Sequence, residues 1–412
     1  MLVVHNGTDN VLHAGLDDAS VGHTRVDPYC SSRLTLSPTS KRKKRLRLAL
    51  GNWAVTVKAT SSKHAWKQLG TELEWPWRVY RVQCDAEIRV LVIPKRDMSC
   101  FLRDLDDNLP LSSIMLPGTH QTMALYGWPH SKCQDSSLTA QLKQGIRVLD
   151  IRLSLVDGKL LAYHGIWPEQ ATFSEIIAST LSFLDSPEGQ SETVVMSVKP
   201  EDNSPWFNQE VWLHIESSRH RWLLDNRVPT LAEARGKIVL FSRFGGHGWP
   251  YDVGLGIHPP RWPDSVQIGF EWWLQGTLVR TQDWYRIPSF IAIPEKVSVA
   301  TSTLLVPPKS PPTLNISFFS ASSLLLALPP TVALGIGWPE LGLGFRGVNE
   351  RATIWLLRML SSKGAEDLRL RGWALLDFFD TPKDKIAILP QLLVEFNWRG
   401  RVPGEEGWPT AE

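Results

Sequence analysis

Gly145-Ile-Arg-Val-Leu-Asp-Ile-Arg152 is an apolar, strand-like run that carries one arginine, ends on another and holds an aspartate between them. Upstream lies Ile114-Met-Leu-Pro-Gly-Thr-His120 and downstream lies Leu160-Leu-Ala-Tyr-His-Gly165, each a strand-like run that reaches a histidine. Two imidazoles with a guanidinium between them suit phosphodiester cleavage. One histidine can take a proton from the nucleophile, the other can give one to the leaving group, and the arginine can hold the phosphate oxygens. An imidazole at a strand end is more often a satisfied structural group than a catalyst. What separates His120 and His164 from the rest of the eleven histidines is the order His, Asp-x-Arg, His-Gly on three successive strand signals. A lipid or nucleotide phosphodiester is therefore the first substrate class to consider.

Outward from this stretch, strand signals alternate with helical ones, the pattern of a βα barrel. Strands are expected over 114–120, 148–155, 194–199, 238–242, 279–283, 316–320 and 374–379. Helices are expected over 173–184 and 349–361, and a third over 385–397 in spite of Pro390. Active sites of such barrels gather at the carboxyl ends of the strands. His120, Arg152, Lys199, Arg243, Asp283 and Asp377 all fall at or near those ends. Residues 1–105 read differently: 52–58, 79–84 and 87–93 alternate or run apolar with β-branched residues, so a small β module, such as a sandwich, is expected there. The organisation expected is thus α/β, with a β-rich module over 1–105 and a barrel over 106–412. At 412 residues the chain has room for a barrel of about 250 residues or more plus that module.

Composition narrows the classes further. A formal net charge of +2 argues against a general polyanion binder, so no nucleic-acid partner is expected and any membrane attraction must come from local patches. One such patch is Lys41-Arg-Lys-Lys-Arg-Leu-Arg47, which suits anionic lipid, a nuclear address or merely a solvated loop. The longest apolar candidate for a membrane span, 324–345, is broken by Pro329, Pro330 and Pro339. Met1-Leu-Val-Val-His-Asn is too short in apolar residues for a secretory signal, so a cytoplasmic or peripheral protein is expected. The four cysteines show no CxxC spacing, which speaks against a zinc site and implies no disulfide framework. Tryptophans followed by proline recur in expected loops at 128, 167, 249, 262 and 338, where a ring that is apolar with a wet N–H suits a lipid interface as well as packing. The stretch 327–338 is apolar but too rich in proline and glycine for a regular element, and is a second candidate for contact with lipid.

Seven blocks carry a resemblance. Leu116-Pro-Gly-Thr-His120, Gln141-Leu-Lys-Gln-Gly-Ile-Arg-Val-Leu-Asp-Ile-Arg152, Tyr163-His-Gly165, Glu192-Thr-Val-Val-Met-Ser-Val-Lys199, Gly236-Lys-Ile-Val-Leu-Phe-Ser-Arg243, Gln282-Asp-Trp-Tyr285 and Gly372-Trp-Ala-Leu-Leu-Asp377 occur in this order. They resemble the successive blocks of the phosphatidylinositol-specific phospholipase C X-domain family in its bacterial and fungal form. The resemblance implies a distorted TIM barrel that cleaves phosphatidylinositol to diacylglycerol and inositol 1,2-cyclic phosphate, with slow hydrolysis to inositol 1-phosphate. It implies that His120 deprotonates the inositol 2-hydroxyl, that Asp377 orients this base, and that His164 protonates the leaving diacylglycerol oxygen. Lys199, Arg243, Asp283 and Tyr285 match positions that bind inositol, Tyr285 by stacking on the ring. Animal members hold calcium with acidic residues where Arg152 stands, and a fixed cation there implies no metal and no other cofactor. Asp150 is then expected to hold Arg152 by a charge-assisted pair. The partners implied are a phosphatidylinositol-like lipid and a membrane surface, with the protein a monomer.

The chain departs from the family pattern at Gln121, where the motif carries an aspartate that assists the acid histidine. Loss of that carboxylate implies a slower enzyme or a lipid-binding pseudoenzyme. A phosphodiesterase for another headgroup, such as a glycerophosphodiesterase, shares the barrel but uses an acidic metal site that the sequence does not display.

Overall fold

The computed structural model describes residues 1–412 except 17–22, 35–44, 59–63, 71–74, 246–254, 308–309, 324–325, 365–366, 382–387, 403, 405 and 408–412. Lys41 to Lys44 of the basic cluster, and Trp249, lie outside the described residues. Arg45 and Arg47 begin the strand Arg45–Leu50 on its exposed face.

The chain forms two compact units, one of residues 1–96, 337–345 and 350–368, the other of 97–336, 346–349 and 369–412. In the first, a five-stranded sheet is built around Leu2–Asn6, Trp77–Cys84 and Glu87–Pro94, and a four-stranded one around Leu12–Leu16, Arg45–Leu50 and Trp53–Lys58. Alternation explains the arrangement. Leu46 and Leu48 from one sheet, and Val79, Val90 and Val92 from the other, are buried in one core while the intervening arginines of Arg45–Leu50 face out.

The second unit is organised by a curled, largely parallel sheet. Its order runs Trp222–Leu223, Ile238–Ser242, Val194–Pro200, Val148–Val156, Met115–Thr119, Gly372–Leu376, Thr313–Phe318, Thr277–Gln282 and Phe270–Leu274. Only the last of these pairs antiparallel to its neighbour. Lys159–His164 and Trp167–Thr172 form an antiparallel extension of Val148–Val156. The hydrogen-bonded path does not close among the described residues. Even so, Val239 and Phe241 from one end share a core with Trp272, Leu274 and Val279 from the other, so the sheet wraps around its own apolar interior. Phe241 meets Trp373 edge to face across that interior, at 5.9 Å between ring centroids.

Register is what positions the site. Thr119 lies opposite both Leu149 and Leu376, Arg152 opposite Lys199, and Gln282 opposite Ser317. The residues that follow these pairs therefore emerge at one end of the sheet. Close approach at Gly118 helps, because a Cβ there would sit 2.7 Å from Val148.

The helix Phe173–Leu184 starts at a capping box formed by Thr172 and Glu175. Val348–Leu360 begins one residue before its expected start, and Ile388–Val394 continues as the 3-10 turn Glu395–Trp398. Pro390 falls in the first turn of that helix, where its missing N–H costs nothing. The stretch 327–338 differs from expectation. Pro329 and Pro330 open a short helix, Pro329–Leu334, for the same reason, and Gly335 at φ +81° ends it before the strand Gly335–Trp338. No described helix is long and apolar enough to cross a membrane.

Candidate active site

His120 follows the strand Met115–Thr119, and Asp377 follows its neighbour Gly372–Leu376. The register carries the two side chains together, and Nδ1 of His120 lies 2.9 Å from Oδ1 of Asp377. A carboxylate only accepts, so Nδ1 carries the proton and Nε2 keeps a lone pair. Gln134 binds both strand ends, its amide donating at 2.8 Å to the carbonyls of His120 and Leu376. Asn349 in turn donates to the carbonyls of Asp377 and Phe378.

His164 ends the strand Lys159–His164, with its ring 6.2 Å from that of His120 and perpendicular to it, at 89°. Its Nδ1 donates to the Ser131 carbonyl at 2.6 Å, which leaves Nε2 as the second proton-transfer atom. Burial, with His120 and Arg152 nearby, pushes its pKa down to about 4, so this imidazole is neutral at neutral pH until an anion joins it.

Asp150 is completely buried and anchors two guanidiniums. Arg152 Nε donates to it at 3.1 Å, and Arg243 Nη1 lies 3.4 Å from its other oxygen. Burial alone would raise the Asp150 carboxyl, but these two cations outweigh it and hold the group far below the usual carboxylate range. Arg152 also reaches Glu201 at 3.4 Å, and burial, which would lower its pKa, is outweighed by Asp150, Glu201 and Asp283. Gln121 shares this network. Its N–H donates to Asp150 at 3.1 Å, and its side-chain oxygen, turned to Arg152, accepts from Nε at 3.2 Å and Nη1 at 3.0 Å. None of these bonds uses Nη2 of Arg152, which remains for a ligand.

Arg243 stacks on Trp262 at 4.0 Å, and the indole N–H of Trp262 donates to Asp283 at 2.8 Å. Lys199 pairs with Glu201 at 3.3 Å, and burial lowers its pKa. Tyr285 donates its hydroxyl to Asp264, and the guanidinium of Arg286 lies 5.3 Å from its ring. His120, Arg152, His164, Lys199, Arg243, Asp283, Tyr285 and Asp377 all line one cavity of about 570 Å³, with Asp150 in the protein beneath it. The structure thus brings together every site residue singled out from the sequence.

Three side chains were not singled out. Glu201 stands two residues after Lys199, a spacing that places both on one face of an extended run, so alternation held a signal for it. Gln134 carried no such signal. Cys133 lies buried behind the histidines, its Sγ 3.9 Å from Nδ1 of His164. Among the described residues, one group with metal-ligand chemistry converges: His120, Cys133 and Asp377, with ligand atoms within 4.8 Å of one another. Trp262 corrects an expectation. It lies in a loop but packs against Phe241, Phe270 and Phe318 as a wall of the cavity, so it is not free to meet lipid. Trp128, Trp167 and Trp338 are exposed.

Residues 108–244 match the family model described as "Phosphatidylinositol-specific phospholipase C, X domain". That segment, about a third of the chain, is similar to the family. Among curated proteins, the 1-phosphatidylinositol phosphodiesterase of Listeria monocytogenes is 33% identical over 154 residues, 34% of this chain and 46% of that protein. The protein of the same name from Staphylococcus aureus strain Newman is 27% identical over 183 residues, 40% of this chain and 57% of that protein. The matches thus span about half the length of these two relatives. Two solved structures share the fold. The phosphatidylinositol-specific phospholipase C of Listeria monocytogenes aligns at a TM-score of 0.53 and 23% identity, covering 73% of this chain and 99% of that one. The Staphylococcus aureus phosphatidylinositol-specific phospholipase C aligns at 0.56 and 22%, covering 73% and 97%.

Proposed function

We propose that the chain is a phosphatidylinositol phosphodiesterase whose catalytic part lies within 106–412 and whose chemistry needs no metal. The observation that carries the reading is the pair of perpendicular imidazoles, 6.2 Å apart, on a cavity that Arg152 also lines. Nε2 of His120 takes the proton of the inositol 2-hydroxyl, with Asp377 fixing the tautomer and stabilising the imidazolium that forms. The freed oxygen attacks phosphorus, the bond to the diacylglycerol oxygen breaks, and inositol 1,2-cyclic phosphate results. His164, once protonated, gives its Nε2 proton to the departing oxygen. Nη2 of Arg152 meets the charge on the phosphate oxygens and so fills the role that calcium would otherwise have. Lys199, Arg243, Asp283 and Tyr285 supply donors, acceptors and a ring face for the inositol hydroxyls. The names of the curated relatives support the same substrate.

The protein would meet its lipid as a peripheral monomer. Tyr126 and Trp128 on one loop, and Ile166 and Trp167 beyond His164, expose apolar surface, and the Tyr126 N–H donates to Glu169 on the strand that Trp167 begins.

A second reading has its own support. Gln121 brings no charge to the acid, and His164 is pushed down to about 4, so the free site holds its acid deprotonated at neutral pH. A lipid-binding protein with impaired turnover would look like this. Phosphorus NMR of the protein with phosphatidylinositol vesicles, with and without chelator and beside His120→Ala, separates the two. A cyclic inositol phosphate signal that survives chelation and vanishes in the variant supports the enzyme. Vesicle binding with no signal in any sample supports the second reading, and a signal lost on chelation overturns the metal-free mechanism.

A further inference from the structure

Cys133 has no part in the proton transfers, yet it sits beside both groups of the base. Its backbone is held there: the Cys133 N–H donates to Ala124, and the Cys133 carbonyl accepts from the N–H of Phe378, the residue after Asp377, both at 2.8 Å. The thiol itself is weakly engaged, with Sγ 3.5 Å from the Ser131 carbonyl. Cys133 and Asp377 are buried, whereas His120 is only partly so and faces the cavity.

We propose that His120, Cys133 and Asp377 form a binding site for a zinc-class divalent cation, and that its occupation switches the base off. The donor set is one sulfur, one imidazole nitrogen and one carboxylate oxygen, which suits zinc and disfavours calcium and magnesium. Zinc bond lengths place neighbouring ligand atoms of a tetrahedral site about 3.4 to 3.6 Å apart. Nδ1 of His120 and Oδ1 of Asp377 already stand at 2.9 Å, and all ligand atoms of the group lie within 4.8 Å of one another. Closing the site therefore needs Nδ1 and Oδ1 to part by about 0.5 Å and the thiol to approach by at most about 1 Å, both within reach of small side-chain rotations. Three protein ligands leave the fourth position for water.

The proton count explains the effect. Binding releases the thiol proton to solvent, since a coordinating thiol is deprotonated. The Nδ1 proton of His120 gives way to the metal and Nε2 takes up a proton, so the imidazole remains neutral with its tautomer reversed. The lone pair that would accept the 2-hydroxyl proton is gone, and Asp377 is bound to the metal instead of supporting the base. Inhibition in this form rests on the lipid-cleavage reading, whereas metal binding does not.

Cobalt(II) added to the full chain under anaerobic conditions tests the site directly. The expected result is a near-ultraviolet sulfur-to-cobalt charge-transfer band with visible bands of a tetrahedral ion, both absent in Cys133→Ala and Cys133→Thr. The threonine variant keeps more of the side-chain volume should alanine fail to fold. In parallel, zinc is expected to inhibit phosphatidylinositol cleavage by the parent chain at a concentration at least about tenfold below that needed for either variant, with activity restored by chelator. A cobalt spectrum unchanged by loss of Cys133, or no charge-transfer band at all, overturns the site. Bands that depend on Cys133 in a protein without turnover keep the site and remove the cleavage reading. Equal zinc sensitivity of parent and variants overturns the switch.

Discussion

Replacing Glu169 by glutamine should flatten the dependence of stability on pH. Glu169 is 2% exposed, one of its oxygens accepts from the N–H of Tyr126 at 2.9 Å, and the other has no partner among the described residues. Burial pushes its pKa from 4.5 up to about 7, against the pull of the backbone N–H groups of Tyr126 and Leu125. The folded state then binds this proton more tightly than the unfolded state does. Its contribution is fully present below about pH 4.5 and is lost as pH rises through about 7, where the carboxylate must ionise in a dry site. At about 1.4 kcal/mol per pH unit, that interval is worth on the order of 3 kcal/mol. Glutamine keeps the acceptor for Tyr126 and cannot ionise, although its amide N–H group takes the place of the unpartnered oxygen at a cost of about 1 kcal/mol. The variant should therefore be less stable than the parent at pH 4.5 and more stable by about 2 kcal/mol at pH 8. Urea unfolding of both proteins at intervals from pH 4.5 to 8 checks this, because groups common to both cancel in the difference. Parallel stability profiles would refute the reasoning.

Other expectations follow from the same geometry. Gln121→Asp places a carboxylate against Arg152 and near the acid, so kcat on phosphatidylinositol should rise by about tenfold or more, with the limb of the pH profile assigned to His164 moving to higher pH. Asp377→Asn frees the tautomer of His120 and should lower kcat by about a thousandfold while the melting temperature changes little. Arg152→Lys breaks the fork that joins Asp150, Glu201 and Gln121 and should cost about a hundredfold in kcat/KM, so a loss below about threefold would argue against its phosphate role. Trp128→Ala with Trp167→Ala should weaken partition onto phosphatidylinositol vesicles by about tenfold, read by cosedimentation, without changing cleavage of a soluble substrate.

Parts of this arrangement were legible in the sequence because they depend on local patterning. The apolar run at Ile238–Ser242 is a strand over its expected bounds, and the stretch expected as a helix over 173–184 is the helix Phe173–Leu184. The ends of the strands were readable as places for charged groups, since a charge that closes an apolar run is costly to bury and belongs at the rim of the sheet, where water or a ligand can meet it. The fixed partners were harder. Gln134 and Leu376 are 242 residues apart, and only the pairing of Met115–Thr119 with Gly372–Leu376 makes them neighbours. Trp262 looked like other tryptophans before proline, and its distinction arises from a stack with Arg243 that no local window contains. The proline-rich run at 327–338 hid a helix because two prolines in a first turn cost nothing, a positional rule that composition obscures.

The cross-strand amide of Gln134 has a kinetic consequence. It ties the carbonyls on either side of the base and its carboxylate into one rigid frame. The separation between imidazole and carboxylate is then set by the main chain as well as by attraction between the two groups. An imidazole that gains and sheds a proton in each turnover can return to the same place every time. Little reorganisation energy would be spent in rebuilding the site between cycles.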